Sequence, residues 1–575
     1  MPRWRHLFLT WSALSRVFCN ADSALASTSS QPNIILIITD DQDVRTGTID
    51  YMPKLRSAVA EQGTTYERFY APVSLCCPSR VSLLRAQYAH NHNVTYVSGD
   101  FGGYHLFHEK GHNDAYLPVF LQGAGYGTYY TGKLMNGLTA PQISQSPPKG
   151  WTHSDFLVDP NAYLYYNASF SDNNAAPINY EGQYMVDLIQ EKALGLLDEA
   201  LDPSQNGAPF FLGIAPTTPH LEVSIGSQAF TEPLPRKKDE NLFEGVDVPR
   251  VPSFNVVTDG AVSWLKYLEE LNGTVVDYID HVYRQRLRSL QAVDDLVEAV
   301  VKRVEEAGPG VADNTYIIYT SDNGYALGSH RRMPGKTLPY EEDVLVPLIV
   351  RGPGVSANAT NSKDIYSMPD LGTTILALAG ANITDYSVDG QAFLPQTADT
   401  SKPRHTLVEY WNGALEEGIY SRSQSIENTT YRSIRVTDDG GDGEHDWIYG
   451  VWCTGERELY NLKDDPHQLR NLALVDDASP SSFIFRTAQN TQTASRLDAL
   501  LIVLKTCVGE TCQNPWKAFN LPASSLTEAL DSRYDAYFDS LPRFKYTECR
   551  FGYLGEAIEA PTWNASLAYP RNKRP

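Results

Sequence analysis

Beyond its first 26 residues the chain has no apolar run long enough to cross a bilayer, so no transmembrane span is expected. Positive charge is also short: 47 lysines and arginines stand against 69 aspartates and glutamates, a net charge of −22. That balance argues against nucleic acid or an anionic membrane surface as a general partner. An anionic substrate stays open, because a local cluster of cations can outweigh a distant acidic surface. Cysteine is scarce, at seven in 575 residues, and there is no internal repeat. Charged residues make up only 20% of the chain and hydrophobic ones 42%. This is a globular composition, and the length allows two or more domains with large cores.

What is present first points to export. Arg3 and Arg5 precede the apolar stretch Leu7 to Ser15, and Ala24-Leu25-Ala26 offers a small-residue cleavage pattern, with cleavage after Ala21 as an alternative. Residues 1–26 are therefore read as a signal peptide. Seven N-x-S/T sequons, at Asn93, Asn167, Asn272, Asn358, Asn382, Asn428 and Asn564, agree with a glycoprotein of the secretory pathway. Cys19 leaves with the signal. Of the others, Cys507 with Cys512 is the first disulfide expected and Cys453 with Cys549 the second.

Three short apolar runs set the fold class. Asn33 to Thr39 stops at Asp40-Asp41, Pro209 to Ala215 is followed by Pro219-His220, and Tyr316 to Thr320 stops at Asp322-Asn323. Continuous apolar strands belong to a sheet covered on both faces. Helices are expected over Pro53 to Gln62 and Tyr283 to Ala307, the latter with Leu287, Leu290, Val293, Val297 and Val304 at helical spacing. The expectation is an α/β protein with a mostly parallel central sheet flanked by helices, over residues 32–395. The polar stretch Gln396 to Arg404 separates it from a smaller α+β region, 405–575. Ligands of such sheets gather beyond the carboxyl ends of the strands.

The residues at those ends carry the chemistry. Asp40, Asp41, Asp322 and Asn323 form an all-oxygen set suited to a hard cation such as calcium or magnesium, although an adjacent acidic pair is usually a solvated turn. Cys76-Cys77-Pro78-Ser79-Arg80 precedes the apolar run Val81, Leu83 and Leu84 and reads as a helix start. Free amides there stabilise negative charge and suit a thiolate, a sulfate or an oxyanion. A disulfide half or a pair of buried thiols is the blander reading. Arg80, Lys133, His220 and Lys336 are singly ordinary polar residues, and only a resemblance to a known family singles them out.

Together these residues resemble the type I sulfatases, formylglycine-dependent enzymes whose signature C-x-P-S-R begins here at Cys76. The likeness spans about residues 32 to 473 and is greatest to secreted fungal arylsulfatases and N-acetylglucosamine-6-sulfatases. It implies an alkaline-phosphatase-like core in which a formylglycine-generating system converts Cys76 to formylglycine (3-oxoalanine) during secretion. One Ca2+ is implied at Asp40, Asp41, Asp322 and Asn323. Arg80 and Lys133 would hold the hydrated aldehyde, and His220 and Lys336 would face the sulfate and the leaving-group oxygen. His90 and His92 resemble a segment near the site, and Glu458-Leu459-Tyr460-Asn461-Leu462 with Asp465-Pro466 resembles a late strand and turn of many sulfatases. The chain departs from the pattern at Leu84-Arg85-Ala86, where Leu-Thr-Gly is common, and at Met135-Asn136, where a histidine follows the lysine by two residues.

The activity implied is hydrolysis of a sulfate ester, foremost an aryl sulfate, to an alcohol or phenol and inorganic sulfate. The nearest rival is an N-acetylglucosamine-6-sulfatase or another carbohydrate sulfatase. A phosphomonoesterase or phosphonate hydrolase, and an inactive sulfated-glycan binder, stand further off.

Overall fold

The computed structural model describes residues 31–225, 229–394, 404–422, 425–437, 446–474, 484–552 and 558–570. The signal peptide lies outside them, as do Cys19 and the boundary stretch except for Arg404. In chain order the strands that build the two main sheets and the site are β1 (Asn33–Thr39), β2 (Thr64–Tyr66), β3 (Gly127–Gly132), β4 (His153–Leu157), β5 (Ser169–Asp172), β6 (Ile178–Asn179), β7 (Phe210–Ala215), β8 (Thr315–Ser321), β9 (Gly335–Lys336), β10 (Leu348–Arg351) and β11 (Ala359–Asn361). They continue with β12 (His405–Tyr410), β13 (Leu415–Glu416), β14 (Tyr431–Thr437), β15 (Asp446–Trp452) and β16 (Arg457–Asn461). The helices packed on them are α1 (Cys76–Arg85), α2 (Met185–Ala200), α3 (Gly273–Glu306), α4 (Met368–Leu378) and α5 (Ala488–Leu504).

One ten-stranded sheet runs β11-β2-β10-β8-β1-β7-β3-β4-β5-β6. Its centre, β8-β1-β7-β3-β4, is parallel throughout, while β10, β2, β5 and β6 join by antiparallel pairs. The apolar run of β1 is continuous because both faces are covered. Ile34, Leu36 and Ile38 pack with Val81, Leu84, Leu371 and Ile375 of α1 and α4, whereas Ile35 and Ile37 pack with Leu196, Leu290, Val293 and Val297 of α2 and α3. Strand registry gathers the polar residues. Thr39 lies opposite Ser321 and Gly132 opposite Ala215, so the residues after β1, β8, β3 and β7 emerge on one edge.

Two expected helices need revision. The long one starts at Gly273, ten residues before Tyr283, and is capped by the Asn272 side chain, which accepts from Val275 N at 3.1 Å. Its first turn, Gly273 to Val276, has no buried residue and so carries no apolar stripe, and Tyr278, Ile279 and Val282 then bury against a separate cluster with Leu221, Tyr325 and Met333. Over Pro53 to Gln62 only Pro53–Leu55 is α-helical, and Arg56–Ala60 widens into a π-helix.

The last region is a four-stranded antiparallel sheet, β12-β14-β15-β16. Leu407, Ile434 and Tyr449 pack with Leu497, Leu500 and Leu501 of α5, while Val408, Tyr410, Ile448 and Tyr460 cover Tyr70, Val73 and Leu75, the segment that enters α1. Both expected disulfides are formed, Cys453–Cys549 and Cys507–Cys512, and Cys76 and Cys77 are free and buried. Of the sequon asparagines, Asn272, Asn358, Asn382, Asn428 and Asn564 are exposed and Asn93 and Asn167 half-buried. Among the described residues no helix is long and apolar enough to cross a membrane.

Candidate active site

Helix α1 begins at Cys76 itself, and its N-cap, Leu75, has no side-chain acceptor to offer. The first-turn amides are thus open toward whatever sits at position 76, and Pro78 in that turn has no N–H to waste. The motif's two polar residues clamp the end of β8. Ser79 Oγ donates to the Asp322 carbonyl at 2.5 Å, and Arg80 Nε donates to Asp322 Oδ2 at 2.7 Å. Arg80 also donates through Nη1 to the Lys133 carbonyl at 2.5 Å and lies 3.5 Å from Asp40 Oδ2 through Nη2.

The oxygens cluster where β1 and β8 end. Asp41 takes up a left-handed backbone, φ 67°, a conformation a non-glycine residue holds only when its surroundings over-determine it. Here its N–H bonds Asp322 Oδ1 at 3.2 Å, and its carbonyl is gripped by Arg286 of α3. Asn323 Nδ2 donates to Asp41 Oδ1 at 2.7 Å. Three oxygens are left over: Asp40 Oδ1, Asp41 Oδ2 and Asn323 Oδ1 are buried and have no hydrogen-bond partner. Buried acceptors without partners are costly, and a hard cation satisfies all three at once. The donor set therefore fits calcium or magnesium and offers nothing to a thiol-loving metal apart from Cys76 and His220, which lie in the same cluster.

Two lysines and an imidazole close the ring. Lys133, directly after β3, places Nζ 2.5 Å from Asp40 Oδ2. Lys336, on β9, places Nζ 2.5 Å from Asp41 Oδ1 and 3.2 Å from Cys76 Sγ. His220 Nε2 is 3.5 Å from Asp41 Oδ2, and its Nδ1 is bonded to the Leu221 carbonyl at 2.6 Å. That carbonyl can only accept, so Nδ1 carries a proton and Nε2 is the atom free to gain or give one. Burial alone would raise Asp40, but Lys133, His220, Arg80 and Lys336 outweigh it and hold its carboxyl well below the usual carboxylate range. Asp322 is raised, by burial and by the Asp40 charge. Burial pushes the Cys76 thiol up, with Asp40 adding to the effect against Lys133 and Lys336. An unmodified Cys76 is thus held as a neutral thiol, a poor nucleophile.

All nine expected chemistry-bearing residues, Cys76, Arg80, Lys133, His220, Lys336, Asp40, Asp41, Asp322 and Asn323, meet in this one place. His90 and His92 do not join them. His90 spends Nδ1 on Glu409 Oε1 at 2.6 Å and Nε2 on the Cys507 carbonyl at 2.8 Å; His92 spends Nε2 on Ser82 Oγ at 2.9 Å and accepts from Val94 N at 3.1 Å. They brace α1 against the last region. Sequence reading missed Tyr163, whose ring lies 4.7 Å from Lys133 Nζ and 4.6 Å from the His220 ring. Asn136 Nδ2 bonds its hydroxyl at 2.6 Å. Nothing in Ala162-Tyr163-Leu164 marks it, because the contact is made only by folding.

A buried ring of oxygen donors and basic side chains at the head of a helix suits the hydrolysis of anionic esters. The sequence model of one family, described as Sulfatase, matches residues 32–381, and the chain belongs to the sulfatase family, a family of sulfuric ester hydrolases. It is 36% identical over 557 residues to an arylsulfatase of Volvox carteri, covering 91% of this chain and 82% of that protein. It is 31% identical over 529 residues to an N-acetylglucosamine-6-sulfatase of Capra hircus, covering 86% and 87%. Among solved structures, one in complex with its substrate D-glucosamine-2-N,6-O-disulfate aligns over 82% of this chain and 97% of its own, with TM-score 0.62 and 21% identity. The fold is the alkaline-phosphatase-like sulfatase core with a small antiparallel sheet after it.

Proposed function

We propose that this sulfatase is a secreted arylsulfatase that depends on calcium and on formylglycine at position 76, splitting an aryl sulfate into a phenol and inorganic sulfate. The observation that carries the reading is the position of Cys76 Sγ, at an open helix N-terminus, 3.2 Å from Lys336 Nζ and beside three partnerless buried oxygens. Formylglycine, once hydrated, would supply an oxygen nucleophile and a second hydroxyl, and Asp40, Asp41, Asp322 and Asn323 would hold a calcium ion able to stabilise negative charge there.

The chain's own groups do the rest. Lys133 and Lys336 are kept protonated, since Asp40 and Asp41 respectively outweigh the burial that would neutralise them. Both can neutralise sulfate oxygens. Arg80, fixed by Asp322, holds the nucleophile's side of the site, and Asp322, with its raised carboxyl, is suited to receive the hydroxyl proton. His220 donates from Nε2 to the leaving oxygen. The last proton transfer, for which no histidine follows Lys133, falls to water or to one of these groups.

The second reading, an N-acetylglucosamine-6-sulfatase, is favoured by relatives of that name at 30–31% identity over most of the chain. The exposed sequons and the amino-terminal signal support passage through the secretory pathway, and a formylglycine-generating system is then the partner required. The test is protein made with that system, with the tryptic peptide Phe69 to Arg80 weighed by mass spectrometry. An aldehyde at Cys76 and sulfate release from an aryl sulfate are expected. Turnover by protein with two intact cysteines in that peptide would overturn the nucleophile.

A further inference from the structure

Three parallel strands end side by side at the basic half of the site, and two of them deliver Lys133 and His220. β3 pairs with β7 on one flank and with β4 on the other. The segment that follows β4 therefore emerges on the same edge, beside the segments that carry the lysine and the histidine. It is tied to both. Thr217 Oγ1 donates to the Ala162 carbonyl at 3.3 Å, and the Tyr165 hydroxyl donates to the His220 carbonyl at 2.9 Å. On the lysine side Gly137 N donates to Asp159 Oδ2 at 2.8 Å, and Asp159 N donates to the Leu138 carbonyl at 2.9 Å.

Tyr163 stands in the middle of this segment and is 5% exposed. Its ring lies 4.7 Å from Lys133 Nζ and 4.6 Å from the His220 ring, tilted by 42°. Its hydroxyl accepts from Asn136 Nδ2 at 2.6 Å, and the Asn136 carbonyl in turn accepts from Tyr104 N at 2.8 Å. Burial pushes the phenol well above its usual range, and the Cys76, Asp40 and Asp159 charges add to the effect. The side chain is thus a neutral ring, wedged between two groups of the site.

The π face of a neutral ring attracts an ammonium, and does so more strongly where both are dry. Lys133 has three N–H groups to place. Asp40 Oδ2 takes one at 2.5 Å, and the ring face restrains the swing of the rest, which leaves a donor for a sulfate oxygen. Tilted aromatic packing fixes the plane of the imidazole whose Nδ1 is already tied to the Leu221 carbonyl, so the aim of Nε2 is set from two sides. We propose that Tyr163 is a positioning residue whose ring, rather than its hydroxyl, aligns Lys133 on the sulfate with His220 on the leaving oxygen. The inference rests on the sulfate-ester reading of the site.

The experiment measures kcat/KM for 4-nitrophenyl sulfate, whose leaving phenol is acidic, and for phenyl sulfate, whose leaving phenol is less so. Wild type, Tyr163→Phe and Tyr163→Leu are assayed at matched aldehyde and calcium content, and the leucine variant is also made in a His220→Ala background. Tyr163→Phe keeps the ring and should stay within about fivefold of wild type on both esters. Tyr163→Leu should lose about 10- to 100-fold on 4-nitrophenyl sulfate. Its loss on phenyl sulfate should be about fivefold greater, because a misaimed acid is felt most where the leaving oxygen needs its proton. Without His220 the leucine replacement should cost several-fold less, since groups that act together do not add. The ratio of the two esters is taken within one preparation, so a partly folded variant scales both rates alike. The proposal is overturned by a phenylalanine variant as impaired as the leucine one, by a leucine variant within about fivefold of wild type, or by a loss equal on both esters and unchanged without His220. Wild-type protein that carries the aldehyde but releases sulfate from neither ester overturns the sulfate-ester reading, and this inference with it.

Discussion

At one end of the site Asp40, Asp41, Asp322 and Asn323 follow two adjacent parallel strands whose registry is fixed along seven residue pairs. At the other end Lys336 rides on a two-residue strand whose partner, β13, arrives from the last region of the chain. The oxygen end is therefore anchored in the core of the sheet. The lysine end depends on the docking of a second sheet, through Tyr70, Val73, Leu75, Val408 and Tyr410. Lys336 nonetheless reaches back to Asp41 and Cys76, so the two ends meet at position 76. Substitutions at the first end should remove the oxygen donors directly, and those at the second should act through the placement of Lys336.

The largest expected effect breaks the oxygen end. Asp322→Ala removes one ligand and the carboxylate that fixes Arg80, so turnover should fall by about 10³-fold or more and bound calcium should be lost, while the buried strand still lets the protein be secreted. Elemental analysis beside the rate decides it; stoichiometric calcium with an undiminished rate refutes the ligand set. Next is His220→Ala. Losing a general acid costs about 10²–10⁴-fold, and the loss should grow with the pKa of the leaving alcohol. A uniform loss across a series of phenols would pass the acid's role to Lys336.

A third test separates the two ends by stability. Cys453–Cys549 closes a loop of 96 residues in the late region, and Cys507–Cys512 a loop of five. Loop-closure entropy assigns about 4–5 kcal/mol to the first and about 2 kcal/mol to the second. Serine replacement of Cys453 and Cys549 should thus lower the melting temperature more than replacement of the short pair. Calcium content at the oxygen end should stay unchanged in both. A larger drop for the short pair would mean that its contact with His90 outweighs chain entropy.

The same division explains what could be read from the sequence. Asp40-Asp41 and Asp322-Asn323 were legible because each ends an apolar run, and parallel strands present their carboxyl ends together. Cys76 to Arg80 was legible as a helix start, and the structure adds why serine and arginine belong in it: both hold Asp322. Lys336 was found by resemblance only, since two residues of strand leave no periodic signal. Tyr163 and Arg286 were invisible, because each reaches the site through a packing of distant segments. The misplacement of His90 has the same cause. It stands a few residues beyond α1, but its ring is turned by Glu409 and the Cys507 carbonyl, both far along the chain.

The smallest effect concerns the docking of the late sheet and its response to pH. Glu458 on β16 is buried and accepts from Tyr340 and Tyr460 hydroxyls, both at 2.8 Å, and from Trp452 Nε1 at 2.9 Å. Burial overcomes those three donors and pushes its carboxyl up to about 7. An unfolded glutamate titrates near ~4.3, so between that pH and about 7 the folded protein holds a proton that the unfolded chain has released. Folding then takes up a proton, and stability is full below the lower value and is lost as the pH rises through the upper one. Glu458→Gln keeps an acceptor at the site and cannot ionise, so it should flatten this dependence. Relative to wild type its melting temperature should gain about 2–4 °C between pH 5 and pH 8. A difference between the two proteins that does not change across this range would show that Glu458 stays ionised in the folded state, with its three donors outweighing burial.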